Sequence, residues 1–262
     1  MPLADGIRVL SAQVCDRLDA AREFYVHTRQ AWRVVQQIAH EGRPVGIVDA
    51  VNGVDLPAAD LEPLAQRYVT IHLAESVFRA LSGCIEDWFL GLIRLWLTAF
   101  PEDLDLNFNP ATGQRRGRKD EELQIPLSRL LHQRDPASIL GGVIEKVVRD
   151  LTYERPDRWF RYIDSRVALG CPTVDEQQKL AEMKAARDCL EHNGGVVNRD
   201  YVNKSGGAAR YAEGERVQID EPYLLRSFEL LREMIETMTA ALVSATSGSK
   251  PPRPSRRGGG RI

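Results

Sequence analysis

The chain is poor in the residues that build metal or disulfide sites. Its four cysteines, Cys15, Cys84, Cys171 and Cys189, are scattered, and none belongs to a CxxC pair. That spacing suggests neither a zinc site nor a dithiol redox motif, and isolated thiols suit a reducing cytoplasm. There are five histidines and no metal-ligand cluster, so no metal and no cofactor are expected. Long hydrophobic runs are also missing. The most apolar stretch, Trp88 to Phe100, is too short to cross a bilayer and carries Arg94. The N-terminus lacks the basic region and apolar core of a secretory signal. These absences point to a soluble, cytoplasmic protein with no membrane partner. No internal repeat is present.

What remains is ordinary for a globular chain: 262 residues, 43% apolar and 27% charged, enough for one large domain or two small ones. The formal net charge of −2 hides an uneven distribution. Lys250, Arg253, Arg256, Arg257 and Arg261 lie in the tail without an acid among them, and Arg115, Arg116, Arg118 and Lys119 cluster in one segment. The body is therefore acidic, and the basic charge sits on pieces with loop composition.

Helical periodicity dominates. From about Ala4 to Glu41, Ile7, Leu10, Val14, Leu18, Ala21, Tyr25, Trp32, Val35 and Ile38 recur at three- and four-residue steps. That predicts one long helix, or two in line, packed on its own domain or on a partner helix. Gly42 to Asp60 is a break, in which Val45, Ile47, Val48 and Val51 can form a short strand or plug the core. Leu61 to Phe100 predicts a second long helix, with Ala74, Phe78, Leu81, Ile85, Trp88, Leu92 and Trp96 in one stripe. Phe89, Ile93, Leu95 and Leu97 widen that stripe, as in a central helix. Glu86 and Asp87 interrupt it, facing either solvent or a polar site.

Pro101 to Asp120 reads as a loop whose Arg115, Arg116, Arg118 and Lys119 can track an RNA backbone or simply be solvated. Shorter helices follow to Leu169, with breaks at Asp135-Pro136 and Arg155-Pro156. Trp159, Phe160, Tyr162 and Ile163 are expected in the core. After residue 198 the chain is polar and Gly-rich, and Val217, Gln218 and Ile219 alternate as in a small β-hairpin. A last helix runs from Glu221 to about Val243. Residues 246–262 have the composition of a disordered basic tail. The expected organisation is a helical extension and loop over 1–60, a helical domain over 61–245 and the tail.

The chemistry concentrates at the end of one further helix. Thr173 with Glu176 three residues on has the pattern of a capping box. Leu180, Met183 and Leu190 supply apolar spacing, and Gly194-Gly195 the stop. Near that end lie Arg187, a permanent cation with a fork of donors that suits phosphate, and His192, which can exchange a proton near neutral pH. Asp188 is four residues before His192 and can orient its imidazole. Asn193 can touch a phosphate or serve as the C-cap. Cys189 suits a small buried apolar position better than a nucleophile, and His27, His40, His72 and His132 are assigned no role.

The run Arg187-x4-His192, followed by Asn193-Gly194-Gly195-Val196-Val197-Asn198, resembles the HEPN superfamily, and within it a subgroup with His-Asn-x-Gly-Ile-Val-Asn. The resemblance covers roughly Tyr68 to Thr239. It implies an all-α helical bundle and a metal-independent endoribonuclease, with Arg187 and His192 catalytic and Asp188 and Asn193 in support. It also implies a homodimer acting on RNA, of the kind found among toxins and defence or stress effectors, with an antitoxin or regulatory protein as a further partner. The subgroup paired with small nucleotidyltransferase antitoxins carries His-x-Tyr, whereas Gly194 stands at that position here. A non-catalytic HEPN module that binds RNA, a nucleotide or a protein is the alternative. On an α-helix, five residues separate two side chains by about 140° around the axis, so one copy does not focus both groups tightly. Dimerisation in HEPN RNases brings two such helices to one groove.

Overall fold

The computed structural model describes residues 2–104, 108–109, 114–115, 135–152 and 154–246. These residues are overwhelmingly helical, and the protein is all-α. In chain order the helices are α1 (Leu3–His40), α2 (Ala58–Arg67), α3 (Leu73–Ala99), α4 (Pro136–Thr152), α5 (Pro156–Asp164), α6 (Val174–His192), α7 (Arg199–Ser205) and α8 (Glu221–Thr246). Phe108–Asn109 pairs antiparallel with Gln114–Arg115, which places the Arg115 backbone in a two-residue strand. Arg116, Arg118, Lys119 and the tail beyond Thr246 lie outside the described residues.

Helix α3 is the centre. Every residue of the predicted stripe from Ala74 to Trp96 is buried, as are Phe89, Ile93 and Leu97, whereas Leu95 is half-buried and packs against the edge of the core. Around it pack α1, α4, α6 and α8. Ile7, Val14, Leu18 and Tyr25 of α1 belong to the same apolar core as α3 and α8, so the first half of α1 covers the bundle. Gly91 lets the two helices approach, because a Cβ there would stand 2.9 Å from Leu10 Cδ2. The second half of α1 runs on to α2, with Gln36 donating to Gln66 at 3.0 Å and Trp32 stacked on Tyr68 at 4.9 Å.

The Leu61–Phe100 pattern is interrupted. Tyr68–His72 forms a single π turn between α2 and α3, where the Thr70 hydroxyl donates to the Gln66 carbonyl at 2.8 Å and competes with the helical ladder. The valine-rich break neither plugs the core nor forms a full strand. It folds into an exposed turn with one antiparallel bridge between Val48 and Asp55, held by the Asp49 carboxylate, which accepts from the Val51 and Asn52 amides at 2.7 and 2.9 Å. Those two bonds hold that carboxyl below its usual range. The aromatic patch of α5 is core, with Trp159 stacked on Phe89 at 5.2 Å. No helix among the described residues is long and apolar enough to cross a membrane.

Candidate functional site

Helix α6 begins as its sequence predicts. The Thr173 side chain accepts from the Glu176 amide at 3.3 Å, and Glu176 reaches back to the Thr173 amide at 2.6 Å. The helix is buried on most sides, with Leu180, Ala181, Met183, Ala185, Ala186, Cys189 and Leu190 all in the interior. Burial pushes the Cys189 thiol up, which favours the inert protonated form and a packing role.

The residues after His192 build a stop, a turn and a new start. Asn193 is the C-cap of α6, and its side-chain amide donates to the Val196 carbonyl. Gly194 and Gly195 take positive φ of 58° and 79°, a conformation that glycine adopts without Cβ strain. The Gly195 amide bonds Cys189 O at 2.9 Å, and its carbonyl accepts from Val217 at 2.9 Å. Val196 and Arg216 form one antiparallel bridge, which is what the expected hairpin amounts to. Val197 is buried, and the Asn198 side chain caps α7 by accepting from the Tyr201 amide at 2.9 Å. Helix α7 has no apolar periodicity and was not apparent in the Gly-rich sequence.

Arg187, Asp188 and His192 line one open cleft of about 340 Å³. Its floor is one face of α6: Ala181, Lys184, Ala185, Asp188 and His192 recur at helical steps, and the two alanines leave the space. Glu86 of α3, then Thr152, Glu154, Arg155 and Pro156 around the α4–α5 junction, and Lys204 of α7 form the walls. His192 is exposed, and no side chain among the described residues hydrogen-bonds its imidazole. Arg187 donates to Asp188 Oδ1 at 3.1 Å and lies 3.8 Å from Glu191. Its Nε is buried without a hydrogen-bond partner, and its Nη2 also has no hydrogen-bond partner among the described residues.

Asp188 does not orient the imidazole in this structure. Its second oxygen accepts from Lys204 Nζ at 3.1 Å, so both oxygens serve cations. Asn193 is likewise spent on the turn. Of the acidic pair in α3, Glu86 enters the cleft and pairs with Lys184, whereas Asp87 pairs with Arg17 at the surface at 3.0 Å.

One feature of α6 had no local sequence signal. Glu182 is 3% exposed and accepts from the hydroxyls of Tyr201, at 2.7 Å, and Tyr223. The Tyr201 hydroxyl accepts from the Arg210 amide at 3.1 Å, and the Arg210 guanidinium stacks 3.5 Å above the Tyr223 ring. The network ties α6, α7 and α8 together. Burial pushes the Glu182 carboxyl up against the lowering effect of the two hydroxyls and Arg210. A carboxyl raised in the folded state binds its proton more tightly there than in the unfolded chain. Its contribution to stability is therefore complete below the ordinary value of 4.5 and is lost as pH rises through the folded value. Glu182→Gln removes that titration. Urea midpoints measured from pH 4 upward are expected to fall more for wild type than for Glu182→Gln, and parallel curves would contradict the assignment.

Comparison of the whole chain with family models, with curated proteins and with solved structures returns no match.

Proposed function

We propose that the protein is a metal-independent endoribonuclease of HEPN type, serving as a toxin or as a phage-defence or stress effector, with Arg187 and His192 as its catalytic residues. The observation that carries this reading is the division of labour within the motif. Asn193, Gly194, Gly195, Val197 and Asn198 are consumed by the turn and the next cap. His192 and the partly exposed Arg187 side chain line the same cleft.

RNA brings its own nucleophile. A base takes the 2′-OH proton, the 2′-oxygen bonds to the adjacent phosphorus, and the bond from phosphorus to the 5′-oxygen breaks. The leaving oxygen receives a proton, and the products are a 2′,3′-cyclic phosphate and a 5′-OH end. His192 supplies the proton transfer. Arg187 neutralises the charge that grows on the phosphoryl oxygens. A homodimer that apposes two α6 ends places an Arg187 and a His192 from each copy in one groove, which offsets their divergence of about 140° on a single helix.

The pairing of Arg187 with Asp188 and Glu191 favours a second reading, a non-catalytic module that binds RNA, a nucleotide or a protein. The two readings part on a single comparison. Labelled single-stranded RNA is incubated in EDTA with wild type and with Arg187→Ala. The nuclease reading predicts cleavage that falls by about 10²–10³-fold in the variant, the usual loss for one charge-stabilising group. Binding without cleavage by a folded wild-type dimer would favour the module.

A further inference from the structure

The candidate cleft holds more positive charge than Arg187 provides. Lys204 stands opposite α6 on the last turn of α7. Its side chain is 42% exposed, and its ion-pair partner is Asp188, with 3.1 Å between Lys204 Nζ and Asp188 Oδ2. The other oxygen of that carboxylate takes Arg187 Nη1 at 3.1 Å. The two cationic groups are thus held no further apart than two hydrogen bonds and the width of one carboxylate. One turn back on α6, Lys184 faces the same cleft, between Glu86 and the Trp159 ring, whose centroid is 5.0 Å from its Nζ.

Lys204 is also placed by more than its own helix. Arg155 donates to the Asn203 and Lys204 carbonyls at 3.3 and 3.0 Å and pins the end of α7 to the start of α5. The Glu182–Tyr201 bond fixes the other side of the same short helix. A surface lysine on a loose loop would not be held this way.

Resting on the reading of the site as an RNA nuclease, we propose that Lys204 and Lys184 form a phosphate subsite next to Arg187, so that the cleft takes two successive phosphates of single-stranded RNA. Asp188 occupies, in the free protein, the anionic position between Arg187 and Lys204 that an incoming phosphate contests. Lys204 carries most of the new contact, because Lys184 is largely engaged with Glu86 and Trp159. A cleft of about 340 Å³ floored by one helix face admits a strand with its bases turned out. A duplex holds its phosphates at fixed A-form positions and cannot adjust them to the cleft as a single strand can.

Each phosphate neutralised by a side chain on single-stranded RNA contributes about 0.7 to the slope of log affinity against log salt. The test measures that slope for a short fluorescent oligouridylate in EDTA. The full chain carries His192→Ala so that the oligonucleotide stays intact. Adding Lys204→Gln is expected to lower the slope by about 0.7 and to weaken binding at every salt concentration. Lys204→Arg, which keeps the charge, is expected to restore both. Lys179→Gln serves as control, because Lys179 is on α6 outside the cleft and pairs with Asp175. It should change neither. The corresponding duplex is expected to bind more weakly than the single strand.

An unchanged slope in Lys204→Gln, an equal fall in Lys179→Gln, or stronger binding of the duplex would each overturn the subsite. Wild-type cleavage is scored separately. A chain that cuts RNA while its slope ignores Lys204 defeats the subsite alone. Binding that depends on Lys204, in a chain that never cuts, defeats the nuclease reading alone.

Discussion

His192→Ala is expected to slow cleavage of single-stranded RNA by about 10²–10⁴-fold, the range spanned by loss of a positioned proton-transfer group. The same substitution should leave the melting temperature unchanged. The side chain is exposed, has no hydrogen-bonding partner among the described residues, and stands on the last residue of a helix whose end is set by Asn193 and two glycines. Loss of activity without loss of stability separates a chemical role from a structural one. The composite groove of the proposed homodimer adds a second readout. Mixing Arg187→Ala chains with His192→Ala chains should recover part of the activity that neither has alone, because a mixed dimer keeps one intact residue of each kind. No recovery, with subunit exchange verified, would count against a shared groove.

Trp88→Ala has the largest expected effect on the fold. Trp88 is 0% exposed at the centre of α3, and its Nε1 donates to Ser11 Oγ of α1 at 3.0 Å. Ser11 is within 2.6 Å of Thr239 Oγ1 of α8, and the Thr239 hydroxyl donates on to the Ile235 carbonyl. One indole therefore anchors a polar chain that crosses three helices. Truncation to Ala forfeits the burial of a large aromatic and leaves a cavity. The expected cost is about 3–5 kcal/mol, or a fall in Tm of roughly 10 °C for a chain of this size. Trp88→Phe keeps much of the ring volume and loses the Nε1 donor, so it should cost about 1–2 kcal/mol. A scanning calorimetry series of wild type, Trp88→Phe and Trp88→Ala tests the order. If Phe and Ala cost the same, the polar chain rather than the ring would dominate.

Local patterns and distant pairings differ in how far the sequence reveals them. The start of α6 is written in Thr173 and Glu176, and its end in Asn193, Gly194 and Gly195, all within one turn of the positions they control. The α3 stripe is legible for the same reason: helical spacing of Phe78, Leu81, Ile85, Trp88 and Leu92 has one economical solution, a buried face. The π turn at Tyr68–His72 leaves the apolar period of its neighbours intact and gave no such signal. Glu182 was invisible because its partners, Tyr201 and Tyr223, stand 19 and 41 residues away. A lone Glu in a helix is also ordinarily at the surface. The small residues Ala181, Ala185, Ala186 and Cys189 nearby mark buried positions of α6 and carry no information on the partners of Glu182. Lys204 carries no sequence signal for a similar reason, since its relation to Asp188 exists only once α7 folds back along α6.

The site residues divide along the same line. Arg187 and His192 were placed by their spacing, and the structure brings both to one cleft. The geometry of Asp188 differs from the expected one, because a side chain four residues away on a helix is a near neighbour without being a partner, whereas Asn193 takes the second of its two expected roles, the C-cap. Asp188 turns to Arg187 and Lys204, and Asn193 closes the helix.

The measurement that bears most directly on the central claim is the chemistry of the RNA ends left by the wild-type protein in EDTA, with His192→Ala alongside. Fragments that end in 2′,3′-cyclic phosphate and begin with 5′-OH, formed without divalent metal and lost in the variant, are expected from attack by the RNA 2′-hydroxyl. Fragments with a 5′-phosphate, cleavage that needs added metal, or cleavage that survives the substitution would contradict it.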